Sequence, residues 1–283
     1  MSEPSSGAVD VARDYYNSAD ADAFYAAVWG GEDIHVGLYD SDDQPIAEAS
    51  RRTVRHMASR LDRPDPDKGL TPKTRVLDIG SGYGGAARFL ASEYGCHVTA
   101  LNLSEVENER NRQLTAEQGL ADRVDVVDGN FEDLPLGDAA FDVVWSQDAF
   151  LHSERRAQVL AEAARVLRPG GQLVFTDPMQ SDSCPEGALQ PILDRLHLGS
   201  LASPAFYRSE AAAVGLEEVG FEDLTFQLVN HYSRVLAETE RREQELAGEI
   251  SRDYLQRMRR GLRHWIDGGR EGLLAWGVFH FRR

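Results

Sequence analysis

The stretch RVLDIGSGYGG, residues 75–85, decides the reading of the chain. It opens as a short apolar run of buried-strand character and passes straight into Gly80-x-Gly82-x-x-Gly85, a literal match to the dinucleotide-binding fingerprint. Glycines here let the backbone come close to a ligand without Cβ interference, and the start of the following helix leaves unpaired N–H groups facing the same place. The string alone does not say whether a pyrophosphate, a nucleotide without phosphates or no ligand at all occupies the loop.

From Thr74 onward, short β-rich runs alternate with helical ones. TRVLDI (74–79), HVTALNL (97–103), RVDVVDG (123–129), FDVVWS (141–146) and GQLVFTD (171–177) read as strands. AARFLASEY (86–94), EVENERNRQLTAEQG (105–119) and RRAQVLAEAARVL (155–167) read as helices between them. This alternation predicts a parallel sheet with helices on both faces. Ser104-x-x-Glu107 forms a capping box, and RPGG (168–171) stops a helix and turns the chain into the next strand.

Upstream, residues 1–70 read as a helical cap: SADADAFYAAVWGG (18–31), with Ser18 or Asp20 as N-cap and a Gly-Gly stop, then IAEASRRTVRHMASRL (46–61). The main domain is predicted over 71–283. It carries an insertion at about 178–208, then a helix and a strand in SEAAAVGLEEVGFEDLTFQLV (209–229). Two charged helices (231–267) and a final alternating strand, LLAWGVFHFRR (273–283), complete it.

With 283 residues, 42% hydrophobic and 27% charged, the chain has the composition of a soluble globular protein. No run reaches the ~18 apolar residues of a membrane span, and the polar N-terminus MSEPSSGAVDVARD argues against secretion. Cys96 and Cys184 show neither metal-ligand spacing nor a pairing framework, so reduced thiols in a cytoplasm and no metal are the expectation. The net charge of −17 repels phosphate backbones and anionic lipid, which counts against nucleic-acid and membrane partners. A small-molecule substrate and a monomer or small homo-oligomer are expected instead. Lys68 and Lys73 are the only lysines. Abundant carboxylates with so little lysine suit a concentrated-salt cytoplasm, although GC-rich coding would give the same arginine bias.

Two residues choose the nucleotide. Asp78, two residues before Gly80 at the strand end, would repel a pyrophosphate and favour a ligand carrying an ammonium and a sulfonium. About 20 residues beyond the loop, where a ribose ligand is expected, stands Asn102, which offers one acceptor and a donor in place of a carboxylate.

VLDIGSGYGG, GNFEDLPLGDAAFDVVWSQDAFLH (129–152) and EAARVLRPGGQLVFTD (162–177) together resemble the class I S-adenosylmethionine-dependent methyltransferases over about 74–177. The resemblance implies a Rossmann-like, seven-stranded, mostly parallel sheet. It places Asp78, Gly80, Gly82, Asn102 and Leu103 at the cofactor, Asn130 and Phe131 at the adenine and Gln147 near them. YYNSADADAFYAAVWGGEDIHVGLY (15–39), ALNLSEVENERNR (100–112) and DPMQSDSCPEGALQPILDRLHLGSLASPAFYR (177–208) are similar to the sarcosine/dimethylglycine N-methyltransferases, which make glycine betaine. That likeness covers nearly the whole chain.

It implies an N-terminal lid in which Tyr25 and Trp29, four apart and so on one helix face, cover the cofactor. It further implies Asp148 near the amine or its cationic product, and Met179 and Gln180 shaping the amine pocket. His152 is either the group that orients or deprotonates the amine or a plain helix-start residue. A substrate carboxylate calls for an arginine: Arg208 with Tyr207 first, Arg195 second, each equally readable as a surface residue. Trp265 and Trp276 read as core. Two other functions fit parts of the pattern. Carbon methylation of a lipid or sterol-like acceptor needs a large apolar mouth, against the polar QSDSCPEG (180–187). A non-catalytic cofactor-binding protein has no need of the complete motif set.

Overall fold

Ser18, rather than Asp20, caps the first helix, α1 (Ala19–Phe24), accepting from the Ala21 N–H at 3.3 Å. The chain then widens into a π-helical turn, Tyr25–Trp29. α2 (Ile46–Leu61) fills its predicted range and buries the stripe Ala49, Thr53, Met57 and Leu61. The computed structural model describes residues 13, 17–29, 31–41, 43–61, 69–196 and 198–283. Tyr15, Tyr16 and most of the Pro-rich connector after Leu61 lie outside them.

Strand and helix then alternate as β1 (Arg75–Ile79), α3 (Gly85–Tyr94), β2 (His97–Asn102), α4 (Glu105–Glu117), β3 (Val124–Asp128), β4 (Phe141–Gln147), α5 (Arg156–Val166) and β5 (Leu167–Thr176). β5 starts at Leu167 rather than Gly171, because the RPGG turn stays within the ladder: Leu167 pairs with Phe141 before the register shifts. The insertion contributes β6 (Met179–Gln180), α6 (Gln190–Leu196) and α7 (Pro204–Ala213). β7 (Glu217–Asp223), α8 (Thr225–Arg241), α9 (Glu243–Leu246), α10 (Arg252–Arg270), β8 (Leu274–Ala275) and β9 (Gly277–Arg282) complete the chain. The segment TFQLV is helical, not strand; the Asp223 carboxylate accepts from the Thr225 N–H at 2.9 Å and starts α8 there.

The seven-stranded sheet runs β3-β2-β1-β4-β5-β9-β7, and β9 alone is antiparallel to its neighbours. Side-chain alternation splits each strand between two cores. Leu77, Ile79, Val144, Phe175 and Phe279 pack on one face with α5 and α7, while Val76, Val98, Trp145 and Val174 meet α2 and α3 on the other. A third apolar cluster joins α1 to α8 and α10, and a short β6–β8 ladder ties the insertion to the C-terminal segment. Among the described residues, no helix is long and apolar enough to cross a membrane.

Tyr207 belongs to this core rather than to a substrate pocket. It is fully buried among Phe150, Phe175 and Phe279, and its hydroxyl donates to Asp177 Oδ2 at 2.7 Å. Burial pushes the Asp177 carboxyl up to about 7, partly offset by this bond. Tyr207→Phe therefore leaves a buried acceptor short of a donor. Urea denaturation is expected to show about 1–3 kcal/mol lost, with the substrate KM unchanged; a raised KM would return Tyr207 to the pocket.

Candidate active site

The strand order reverses between β1 and β4, so their carboxyl ends flank a crevice where a ligand can enter. A cavity lined by both strand ends occupies it. The glycine loop forms one wall, and its glycines admit protein as much as ligand. Gly80 has φ +71°, and a Cβ there would stand 2.4 Å from Ala149 Cβ in the turn after β4. A Cβ on Gly85 would lie 2.2 Å from Asp33 Oδ1. The segment 32–35 thereby closes over the loop.

Asp78 is 2% exposed, and its Oδ2 has no hydrogen-bond partner among the described residues. Burial, and then the charge of Asp33, push its carboxyl up to about 7. Among the described residues, five carboxyl residues line this cavity (Glu32, Asp33, Asp78, Glu107 and Asp148) against one arginine, Arg13. Such a lining attracts a cation and repels a pyrophosphate.

At the end of β2, Asn102 and Leu103 line the same cavity. Asn102 Nδ2 donates to Glu107 Oε2 at 2.8 Å, and burial raises the Glu107 carboxyl to about 7. Half of the predicted capping box forms: Ser104 Oγ accepts from the Glu107 N–H at 3.2 Å, while the Glu107 side chain turns to Asn102 and the cavity. The carboxylate missing from the strand end is thus supplied from the first turn of α4. Asn130 and Phe131 line the wall beyond.

Gln147 ends β4. Its Oε1 accepts from Trp145 Nε1 at 3.0 Å, which turns its amide nitrogen to donate to His35 Nε2 at 2.9 Å. His35 therefore carries its proton on Nδ1, 3.2 Å from Val36 O. The next residue, Asp148, holds φ +52° and joins distant parts of the chain: Oδ2 accepts from Val36 N at 2.7 Å and Oδ1 from Trp276 Nε1 at 2.8 Å. Trp276 is core, as read, but its indole N–H fixes the site.

Asp148, His35 and His152 also line a second, larger cavity. Tyr25 and Trp29 stand on its wall with ring centroids 4.9 Å apart, opposite Tyr232, Tyr254 and Trp265. Arg195, Arg257 and Arg260 supply its cationic side. His152 is held neutral, its pKa lowered to about 4 by burial and by Arg156 and Arg195.

Besides Tyr207, three sequence-based assignments do not reach either cavity. Arg208 pairs with Glu218 at 2.9 Å and stacks over Phe221, on the far side of α7. Met179 is fully buried in the sheet core, and Gln180 is taken up by the β6–β8 ladder, its N–H donating to Ala202 O at 2.9 Å. His35, Glu107, Arg257 and Arg260 had no local signal. His35 sits in an aperiodic link, Glu107 is disguised as a cap, and the arginines are two among many on a charged helix.

A family model described as a methyltransferase domain matches residues 77–175. The chain is 57% identical to the sarcosine/dimethylglycine N-methyltransferase of Halorhodospira halochloris, over 98% of this chain and 97% of that one. It is 58% identical, over 98% of its length, to the glycine/sarcosine/dimethylglycine N-methyltransferase of Actinopolyspora halophila, of which it spans 48%. A Galdieria sulphuraria crystal structure assigned as a sarcosine dimethylglycine methyltransferase superposes with a TM-score of 0.87 at 45% identity, over 93% of this chain and 98% of that one. The chain belongs to the sarcosine/dimethylglycine N-methyltransferases. It is an S-adenosylmethionine-dependent N-methyltransferase on the expected class I fold. The acidic cavity with its unpartnered Asp78 oxygen suits that cofactor's two cationic groups.

Asp148→Asn keeps shape but points an amide N–H at a donor, Val36 N–H or Trp276 Nε1–H. Stability is expected to fall by about 1–3 kcal/mol, read as a lower urea midpoint at unchanged slope. An unchanged midpoint would show that this carboxylate does not hold the site walls together.

Proposed function

We propose that the enzyme methylates sarcosine and dimethylglycine to glycine betaine, the acidic cavity holding the cofactor and the arginine-lined one the amine. The observation that supports this most directly is that the two cavities share Asp148, His35 and His152 at their junction. When bound, S-adenosylmethionine supplies an activated methyl group for in-line displacement, so the chain need only align and desolvate the acceptor. Asp78 takes the ammonium of the cofactor's amino-acid end. Glu107, steadied by Asn102, takes the ribose hydroxyls, and Asn130 with Phe131 the adenine. Residues 17–29 and 31–41 serve as the lid, with the Tyr25 and Trp29 rings facing the cationic centres.

An amine with pKa near lysine's, roughly 10, is only about one part in a thousand neutral at pH 7. The site must therefore strip a proton. Burial raises the Asp148 carboxyl, which makes it the stronger base at the junction, while neutral His152 accepts a hydrogen bond and orients the amine. Arg195 replaces Arg208 as the anchor for the substrate carboxylate, a bidentate partner beside His152. The arginines on this wall count against a wholly apolar acceptor. The net charge of −17 fits a small solute acceptor in a saline cytoplasm better than nucleic acid.

Mass spectrometry of products from glycine, sarcosine and dimethylglycine, offered separately, tests the reading. Trimethylated product is expected from the last two; no product from either would sink it. Cofactor binding carries a second signature. Asp78 must be ionised to pair with an ammonium, and its carboxyl sits at about 7 in the free enzyme. Affinity should thus rise as pH climbs toward 7, by up to tenfold per unit below it. It should fall again above about 8, where an α-amino group loses its proton. Calorimetry across pH 5.5–9 in wild type and Asp78→Asn reads this directly. A wild-type acid limb that persists unchanged in the variant would remove Asp78 from the ammonium.

A further inference from the structure

Gly261 lies in the middle of α10 and is buried. Glycine is the least favourable residue after proline in a helix interior, so its presence there calls for a steric reason. A Cβ at this position would stand 2.6 Å from Arg195 Cδ, 2.6 Å from Arg195 Nε and 2.8 Å from Arg195 Cζ. The two other interior glycines near the end of this helix differ: Gly268 and Gly269 make room for the apolar side chains of Leu274 and Val229. At Gly261 the side chain admitted is a cation.

Arg195 reaches it from the last turn of α6, with Nη2 2.9 Å from Met258 Sδ. Met258 and Gly261 are three residues apart, so they stack along one face of α10. The guanidinium passes over Gly261 with the thioether beside it. Arg195, Met258, Gly261 and His152 all line the acceptor cavity.

We propose that Gly261 is a positioning residue for the acceptor, holding Arg195 against α10 so that its fork faces the substrate carboxylate. This rests on the reading that Arg195 anchors that carboxylate. The nearest atoms a Cβ would meet belong to the far end of a flexible side chain, so a methyl group at 261 displaces the guanidinium rather than the helix. Selection for carboxylate-bearing amines thus depends on a residue with no functional group.

The test compares Gly261→Ala, Arg195→Ala and the double variant, with KM and kcat for dimethylglycine and calorimetric affinity for S-adenosylmethionine. Gly261→Ala should raise the dimethylglycine KM roughly ten- to a hundredfold, the range of a lost charge-assisted pair. Its kcat should fall far less, and cofactor affinity should stay within twofold of wild type. The double variant should match Arg195→Ala within about twofold, since the methyl then has nothing to displace. A wild-type KM in folded Gly261→Ala, with Arg195→Ala impaired, overturns the inference and leaves the anchoring reading intact. A wild-type KM in Arg195→Ala overturns both. Multiplying penalties in the double variant overturn the inference as well. If Gly261→Ala does not fold, recovery of folding in the double variant supports the steric contact, and failure of both rejects it.

Discussion

The two cavities can meet only because one carboxylate holds their walls together. Asp148 leaves the end of β4 at φ +52°, a conformation few non-glycine residues adopt and one that short polar side chains tolerate best. From there its two oxygens accept from the backbone of Val36 and the indole of Trp276, groups from near the two ends of the chain. The parallel sheet delivers the strand end, the N-terminal segment closes the top, and the C-terminal strand pair closes the side. A single half-buried carboxylate, accepting two hydrogen bonds, fixes all three relative to one another. It also lines both cavities, so packing and the proposed chemistry rest on the same residue.

The glycine loop gains a different meaning in this setting. In isolation its missing Cβ atoms suggest a ligand pressed against the backbone. In the fold, the space above Gly80 is taken by Ala149 and that above Gly85 by Asp33. The loop is stripped so that other parts of the protein can approach and form the remaining walls. This explains why the same string serves unrelated ligands: it specifies a close-packed corner, and the residues around the corner choose what binds. Here those residues are carboxylates.

The order of strands and helices between Thr74 and Asp177 was legible because period-2 and period-3.6 patterns alternate there with clear turn chemistry. The glycine loop, Asp78 and Asn102 followed from their positions at strand ends, whereas Leu103, Asn130, Phe131 and Gln147 came only through the family resemblance. The acceptor side was not legible in that way. Its walls come from α1, α6, α8 and α10, elements far apart in sequence, whose inward residues are interspersed with surface ones. Arg208 was preferred over Arg195 for its neighbour Tyr207, yet that tyrosine points into the sheet core and carries Arg208 to the opposite face. Nor does local sequence show that the Glu107 side chain turns inward, because a capping box accounts for the same residue.

Charge divides the site between its two substrates. Burial, with the charge of Asp33 beside Asp78 and of Asp22 beside Glu107, raises both carboxyls to about 7, so the free enzyme holds its acidic cavity in an unfavourable state. A sulfonium with an ammonium relieves that repulsion on binding, and the gain is available only to a cationic ligand. The acceptor has the opposite need: its nitrogen must shed a positive charge before it can attack. Placing it toward the arginine-lined cavity, beside a neutral His152 and facing a bound sulfonium, disfavours the protonated amine while holding its carboxylate. The proposed base is the same Asp148 that holds the walls, its carboxyl raised by burial. Once the amine becomes quaternary it can no longer be neutralised by losing a proton. The product then carries a fixed positive charge beside arginines that disfavour it, and this asymmetry favours its release.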